Sequence, residues 1–478
     1  ARLGEEPRRS PERLKGALRA GTKGRAISPF LFPEDIHMPE IPSLWPHQDE
    51  SVRYLTTHAR VYDASDPGVG KTRAHLEAFA RRRLKGGKRA LIVAPKTLLE
   101  PAWGNDIEQF TPSLSATYAV AGKDKNGENL REIALRSDSD VVIINTDGVR
   151  WIAETPNKVR LLKEFDTLII DELTYYKHRT SRRSKALRKI APYFKYRTGL
   201  SGTPRTNSIV DLWHQIYVLD DGRHFGESFF RFRNQFCDPV NNGFAIEYRD
   251  KPDANRVTML LLKDMMIRHR FEDVMSHIPA NVTRPPVSFT LPSKLREAYD
   301  KLEEESLLEL KSGDVTAVNA AVMRTKLLQL ASGAVYTGKD TYEVLDTSRY
   351  ELIIDLIEER DHSVVFFNWR HSRDQLIKLA QDRGITHAYI DGTVTNRNRT
   401  QVVEAFQAGH FQALFLQPET GAHGLTLTRG RTTIWASPQY KPDIAKQGLH
   451  RIYRGGQDKP TETICIEAKN TVEQIVYE

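Results

Sequence analysis

The chain has 478 residues, 39% of them hydrophobic and 28% charged, a globular composition long enough for two or three domains with proper cores. It holds no apolar run of about 18 residues, which excludes a membrane-spanning helix, and its first residues carry no apolar signal core. Its two cysteines, Cys237 and Cys465, argue against a disulfide framework or structural zinc and point to a reducing, cytoplasmic setting, while the net charge of +8 is compatible with a polyanionic partner.

Residues 1–43 are rich in Arg, Lys, Pro and Gly without apolar periodicity, which predicts a flexible basic arm, read functionally as a nucleic-acid tether. From 44 to 220, apolar strands alternate with helical stretches. Strands are expected at 61–64, 89–94, 117–120, 141–145, 167–171 and 197–201. The same alternation returns over 349–478, with strands at 363–368, 387–390, 412–416, 432–436 and 461–466. The fold class is therefore α/β, with two tandem parallel-sheet lobes. Residues 221–348 read as a mainly helical insertion and connector. It opens on the aromatic, basic stretch 225–236 and continues into helical runs at 295–310 and 322–330.

Ala64-Ser65-Asp66-Pro67-Gly68-Val69-Gly70-Lys71-Thr72 follows a strand and opens a helix. Gly68, Val69 and Gly70 bring backbone N–H groups close to phosphates. Lys71 reaches the β- and γ-phosphates of ATP, and the Thr72 hydroxyl ligates Mg²⁺. Ser65 stands where a strict phosphate loop has its first glycine. Asp171-Glu172 ends an apolar strand, placing a second Mg²⁺ ligand, Asp171, beside a base, Glu172, for the attacking water. A strand ending in two acids is common, so the pair gains meaning only from the loop upstream. Ser201, Gly202 and Thr203 end the next strand and suit coupling between the hydrolysis site and a neighbouring surface. Arg451 and Arg454, three apart, are expected on one helix face, from which guanidinium groups can reach the γ-phosphate.

Together these motifs resemble superfamily 2 helicases, and specifically the SWI/SNF-type ATPases of chromatin remodellers and their bacterial and phage relatives. Trp45-Pro46-His47-Gln48 resembles the adenine-reading Q motif, through Gln48. Residues 91–95, followed by Trp103 and Phe110, resemble motif Ia, and 143–146 motif Ib. Arg268-His269-Arg270 with Ile278-Pro279 is similar to the family's arginine-rich segment. Phe366-Phe367-Asn368 resembles motif IV. Residues 420–427 resemble motif V, with Gly424 at the nucleotide. Gln447 to Gln457 resemble motif VI, with Gln447 in a coupling position. The resemblance covers about 44–478 and implies RecA-like lobes. Thr174 replaces the usual His after the acidic pair, and Thr426 a usual Asn. The chain also stops where the family's closing helix would begin, which suggests a truncated end.

The resemblance further implies double-stranded DNA as a sequence-nonspecific partner, gripped through Lys96, Thr146, Asn368, Arg370 and Thr426. The implied activity is a DNA-dependent ATPase that translocates on duplex DNA. Three alternatives stay open: a strand-separating DNA or RNA helicase; the motor subunit of a restriction, repair or phage replication assembly, with nuclease or targeting function supplied by a protein partner; and a nucleotide-switched DNA-binding protein. Compact size suggests a bacterial or phage-infected cell, or the nucleus in a eukaryote.

Overall fold

Six runs rich in Val, Ile and Leu form the first sheet: β1 Arg60–Asp63, β2 Arg89–Ala94, β3 Ala116–Ala119, β4 Val141–Asn145, β5 Phe165–Ile170 and β6 Tyr196–Leu200. All pair in parallel, in the order β3-β4-β2-β5-β6-β1. Their side chains alternate between two cores. Leu91, Val93, Val142, Ile144, Leu168 and Ile170 enter one; Ala90, Ile92, Ala94, Val141, Ile143 and Ile169 enter the other. Burial on both faces is why these strands read as unbroken apolar runs. A one-residue slip would exchange the two sets, so the register is strongly held. The computed structural model describes residues 41–476 apart from 155, 205–207, 242–245, 313–316, 339–340 and 422–424. Residues 1–40 of the expected basic arm lie outside the described residues.

The second sheet repeats this logic. Strands Ser363–Phe366, His387–Ile390, Ala413–Leu416, Thr432–Trp435 and Thr461–Ala468 are all parallel. Val365, Phe415, Ile434 and Ile464 face one core, and Val364, Phe366, Leu414 and Leu416 face the other. Every strand expected from the sequence is present, with ends displaced by at most two residues. The architecture is the two-lobed α/β one.

The connector carries the long helices Ser293–Ser312 and Ala317–Ala331 beside two antiparallel strand pairs, Cys237–Asn241 with Ile246–Asp250 and Ala334–Tyr336 with Tyr342–Val344. It also stitches into both sheets. Met266–Ile267 adds to the first beside β1. Asn281–Thr283 and Val287–Phe289 both add in parallel to Thr461–Ala468. Strands of two or three residues carry no readable periodicity, so the sequence did not disclose them. Between them the chain crosses from one sheet to the other. There Phe271, Met275 and Ile278 form a small core with Val69, flanked by Trp45 and Tyr453. None of the described helices is long and apolar enough to cross a membrane.

Candidate nucleotide site between two lobes

The loop after β1 leads into helix Lys71–Leu84. Gly68 and Gly70 adopt φ of +84° and +78°, where other residues are strained. Space reinforces the choice. A Cβ on Gly70 would lie 2.2 Å from Gln48 Nε2, and one on Gly68 3.2 Å from the Arg454 Cβ. The glycines thus admit Gln48 and an arginine of the other lobe. Lys71 Nζ donates to the carbonyls of Ser65 and Asp66 at 2.7 and 3.0 Å. Gln48 donates to the Gly70 carbonyl at 3.3 Å, and His47 Nε2 lies 2.9 Å from the Val69 carbonyl. Ser65 has its own use for a side chain: its hydroxyl accepts from the His269 N–H of the crossover at 3.0 Å. A glycine there would lose that tie.

Asp63 lies beneath the loop and is 1% exposed. Burial pushes its carboxyl up, but His75, the Lys71 charge and the Ser65 side chain outweigh it and bring it down to about 2. His75 Nε2 is 3.1 Å from Asp63, and the Thr198 hydroxyl is 3.3 Å from its Nδ1. An ionised carboxylate only accepts, so Nε2 is the donor to Asp63. This pair was not singled out from the sequence.

Asp171 and Glu172 follow β5. Glu172 adopts φ 52° and ψ 59°, a left-handed conformation costing a non-glycine residue on the order of 1–3 kcal/mol and typical of functional sites. Asp171 Oδ1 accepts from the Glu172 N–H at 3.0 Å, and Oδ2 from Trp103 Nε1 at 2.9 Å. Burial raises the Glu172 carboxyl; Lys71 and Arg451 offset this in part, and Asp443 adds to it. Thr72 and Asp171 are half-buried. Their hydroxyl and carboxylate are hard oxygen donors, a set that suits Mg²⁺ when phosphate oxygens and water complete its shell.

The second lobe contributes helix Pro442–Leu449 and the turn after it. Lys446 Nζ pairs with Asp66 Oδ1 at 2.7 Å, and Gln447 Nε2 donates to Glu172 Oε1 at 3.3 Å. Arg451 donates to the Gln447 and Leu425 carbonyls at 2.9 and 3.1 Å, and Arg454 to the same Leu425 carbonyl at 3.2 Å. The expectation of a shared helix face for the two arginines is corrected here. The helix ends at Leu449, before either of them, and Gly455-Gly456 just beyond disfavours its continuation. They converge through a turn instead. Burial lowers both guanidinium groups, Arg451 to about 9.

Ser201 donates its N–H to the Asp63 carbonyl at 3.0 Å, and a Cβ on Gly202 would lie 2.8 Å from Pro67. The Thr203 N–H donates to the Ser201 hydroxyl at 3.3 Å. This segment therefore leans directly on the phosphate loop. Gly424 lies outside the described residues. Among the residues expected at nucleic acid, Lys96, Arg370 and Thr426 are exposed. Asn368 is half-buried and donates to the Pro438 carbonyl at 3.1 Å. Thr146 is only 7% exposed and so offers the least surface. Lys96 opens a cleft of about 540 Å³ that Arg397, Thr400 and Gln401 line from the second lobe.

Asp106 and Lys446 were the site residues least visible in the sequence; Trp103 was read with motif Ia, but not its place beside Asp171. Asp106 shows its place electrostatically: burial pushes its carboxyl up to about 6, against the charges of Arg454 and Arg73, with Asp171 adding to the rise. No local pattern marks such residues, because their partners lie far away in the chain.

Residues 47–332 match the family model of the SNF2-related domain, and residues 348–456 that of the helicase conserved C-terminal domain. Protein p41 of Acyrthosiphon pisum secondary endosymbiont phage 1 is 25% identical, over 91% of this chain and 94% of its own. The Caenorhabditis elegans SWI/SNF-related matrix-associated actin-dependent regulator of chromatin subfamily A-like protein 1 homolog is also 25% identical, over 94% of this chain and 63% of its own. An ATP-dependent helicase of Mycoplasma pneumoniae is 24% identical, and the chain spans 38% of its length. Among solved structures, the Sulfolobus solfataricus SWI2/SNF2 ATPase core in complex with dsDNA covers 91% of this chain at 19% identity, with 90% of its own chain covered and a TM-score of 0.44. Two lobes meeting at a phosphate loop, an acidic pair and two arginines, under family models that span most of the chain, have one meaning: the chain belongs to the SNF2-related family of helicase-like ATPases.

Proposed function

We propose that the chain is a motor that uses ATP and Mg²⁺ to move along double-stranded DNA. One observation carries this reading. Lys446 and Gln447 of one lobe touch Asp66 and Glu172 of the other at 2.7 and 3.3 Å, so the nucleotide site and the lobe geometry change together. In this reading, Lys71 and the loop N–H groups of Gly68, Val69 and Gly70 bind the phosphates, and Gln48 reads adenine. Glu172 takes the proton of the attacking water. Arg451 and Arg454 neutralise charge that develops in the transition state. Thr72 and Asp171 would hold Mg²⁺, which supplies charge neutralisation across the phosphates. Ser201, Gly202, Thr203 and Gln447 pass the change on to the lobes.

The nucleic-acid part of the reading rests on charge placement. Lys96 and Arg397 line one cleft from opposite lobes. Cations on both sides of a groove suit a phosphate backbone and need no base contacts. A relative named for chromatin regulation favours duplex over single strand.

Duplex DNA is expected to raise the ATPase rate at least about fivefold at low salt, and the DNA affinity to fall steeply as salt rises. Single-stranded DNA and RNA are expected to stimulate less. The check is steady-state ATPase with each polymer at matched nucleotide concentration. Equal or greater stimulation by single strands would favour a strand-separating helicase.

A further inference from the structure

Both oxygens of the Asp171 carboxylate are engaged within the protein. Oδ1 accepts from the Glu172 N–H at 3.0 Å and Oδ2 from the Trp103 indole N–H at 2.9 Å. A carboxylate has about four lone-pair sites, so an oxygen that accepts a hydrogen bond can also ligate a cation. Two donors on opposite oxygens also stop the group from turning. The Trp103 side of this clamp is rigid for independent reasons. Trp103 is 0% exposed and belongs to a core with Ile92, Ala94, Leu98 and Ile107. It lies on the π-helical turn Leu99–Gly104, a rare widened geometry that recurs at functional sites. Gly104 beside it leaves room for the Tyr118 hydroxyl, which would lie 2.0 Å from any Cβ there. Packing, rather than Asp171, sets the direction of the indole N–H.

We propose that Trp103 is a positioning residue that fixes the Asp171 carboxylate in its metal-binding orientation, and so sets the affinity of the nucleotide site for Mg²⁺. A donor behind a metal ligand orients it and tunes its affinity. The bland reading is that a buried indole needs any acceptor at all. The two readings differ in what happens when the N–H alone is removed. The proposal rests on the reading of Asp171 as a metal ligand.

The test uses the whole chain and a fluorescent ATP analogue, with binding measured by equilibrium titration in Mg²⁺ and in EDTA. Trp103 is replaced by 3-benzothienylalanine, which puts sulfur in place of the N–H in a ring of nearly the same shape, and separately by Phe (Trp103→Phe). The wild-type chain binds the analogue more tightly with Mg²⁺ than without. Both variants lose about tenfold of that gain, the lower end for an outer partner of a metal ligand. Their affinity in EDTA stays within about twofold of wild type, and raising Mg²⁺ restores binding. An unchanged Mg²⁺ gain in the benzothienyl variant overturns the proposal, whether or not the Phe variant folds. Equal loss with and without Mg²⁺ also overturns it, because the effect is then structural. A wild-type chain with no Mg²⁺ gain overturns the metal reading of Asp171 itself, an outcome separable from the other two.

Discussion

Glu172→Gln lowers ATP turnover at least about 100-fold while leaving ATP affinity within about threefold, the pattern of a lost general base. The geometry makes this substitution a clean one. Gln447 donates to Glu172 Oε1 at 3.3 Å, and a glutamine carbonyl at 172 accepts the same hydrogen bond. The contact between lobes survives and the base does not. The left-handed backbone at 172 is unaffected, because both side chains bear it equally. Single-turnover hydrolysis and equilibrium nucleotide binding, measured on one preparation, separate the two effects. With Glu172 as the proposed base, the same carboxylate is expected to set the acid side of the pH profile. Burial holds it above its ordinary value of 4.5, so it is protonated and inactive over a wider acid range. Turnover at saturating ATP therefore falls away on the acid side at a pH above 4.5. A limb at or below that value would mean that another group governs the rate.

Arg454→Ala costs about 1,000-fold in turnover or more, the scale of a lost arginine finger, at little cost in stability. Arg454 approaches the phosphate loop closely enough that a Cβ on Gly68 would lie 3.2 Å from its own. Among the described residues, its side chain makes one hydrogen bond to its own lobe, to the Leu425 carbonyl at 3.2 Å. Arg451 differs in kind. It is 7% exposed and braces both the Gln447 and Leu425 carbonyls. Arg451→Ala therefore lowers the thermal midpoint as well as turnover, whereas Arg454→Ala lowers turnover alone. Lysine at 454 recovers little, because a point charge does not reproduce the planar fork of guanidinium. Melting curves run beside turnover measurements distinguish the two positions.

The contrast between these arginines shows what sequence could and could not convey. Their spacing pointed to the γ-phosphate, but also to a helix face that Gly455 and Gly456 deny. The sheets were legible because strands such as Leu91–Val93 and Ile143–Ile144 are apolar on both faces, a pattern set by local sequence. The phosphate loop and the acidic pair were legible because their chemistry is packed into consecutive residues. The strands Met266–Ile267 and Asn281–Thr283 were hidden because they form only against a sheet edge built elsewhere. His75 and Lys446 were hidden for the same reason, and Trp103 stood out only as part of motif Ia, without its tie to Asp171. Lys446 meets Asp66, 380 positions earlier in the chain. Ser65 looked like a departure from a phosphate loop; against His269 it is a tie between the loop and the crossover.

Movement along duplex DNA is the central claim, and displacement of a third strand from a DNA triplex tests it most directly. With ATP and Mg²⁺ the chain is expected to release the third strand while the underlying duplex stays paired. The same preparation carrying Glu172→Gln is expected to release none. Separation of the duplex strands, or DNA-stimulated hydrolysis without any third-strand release, would contradict the account.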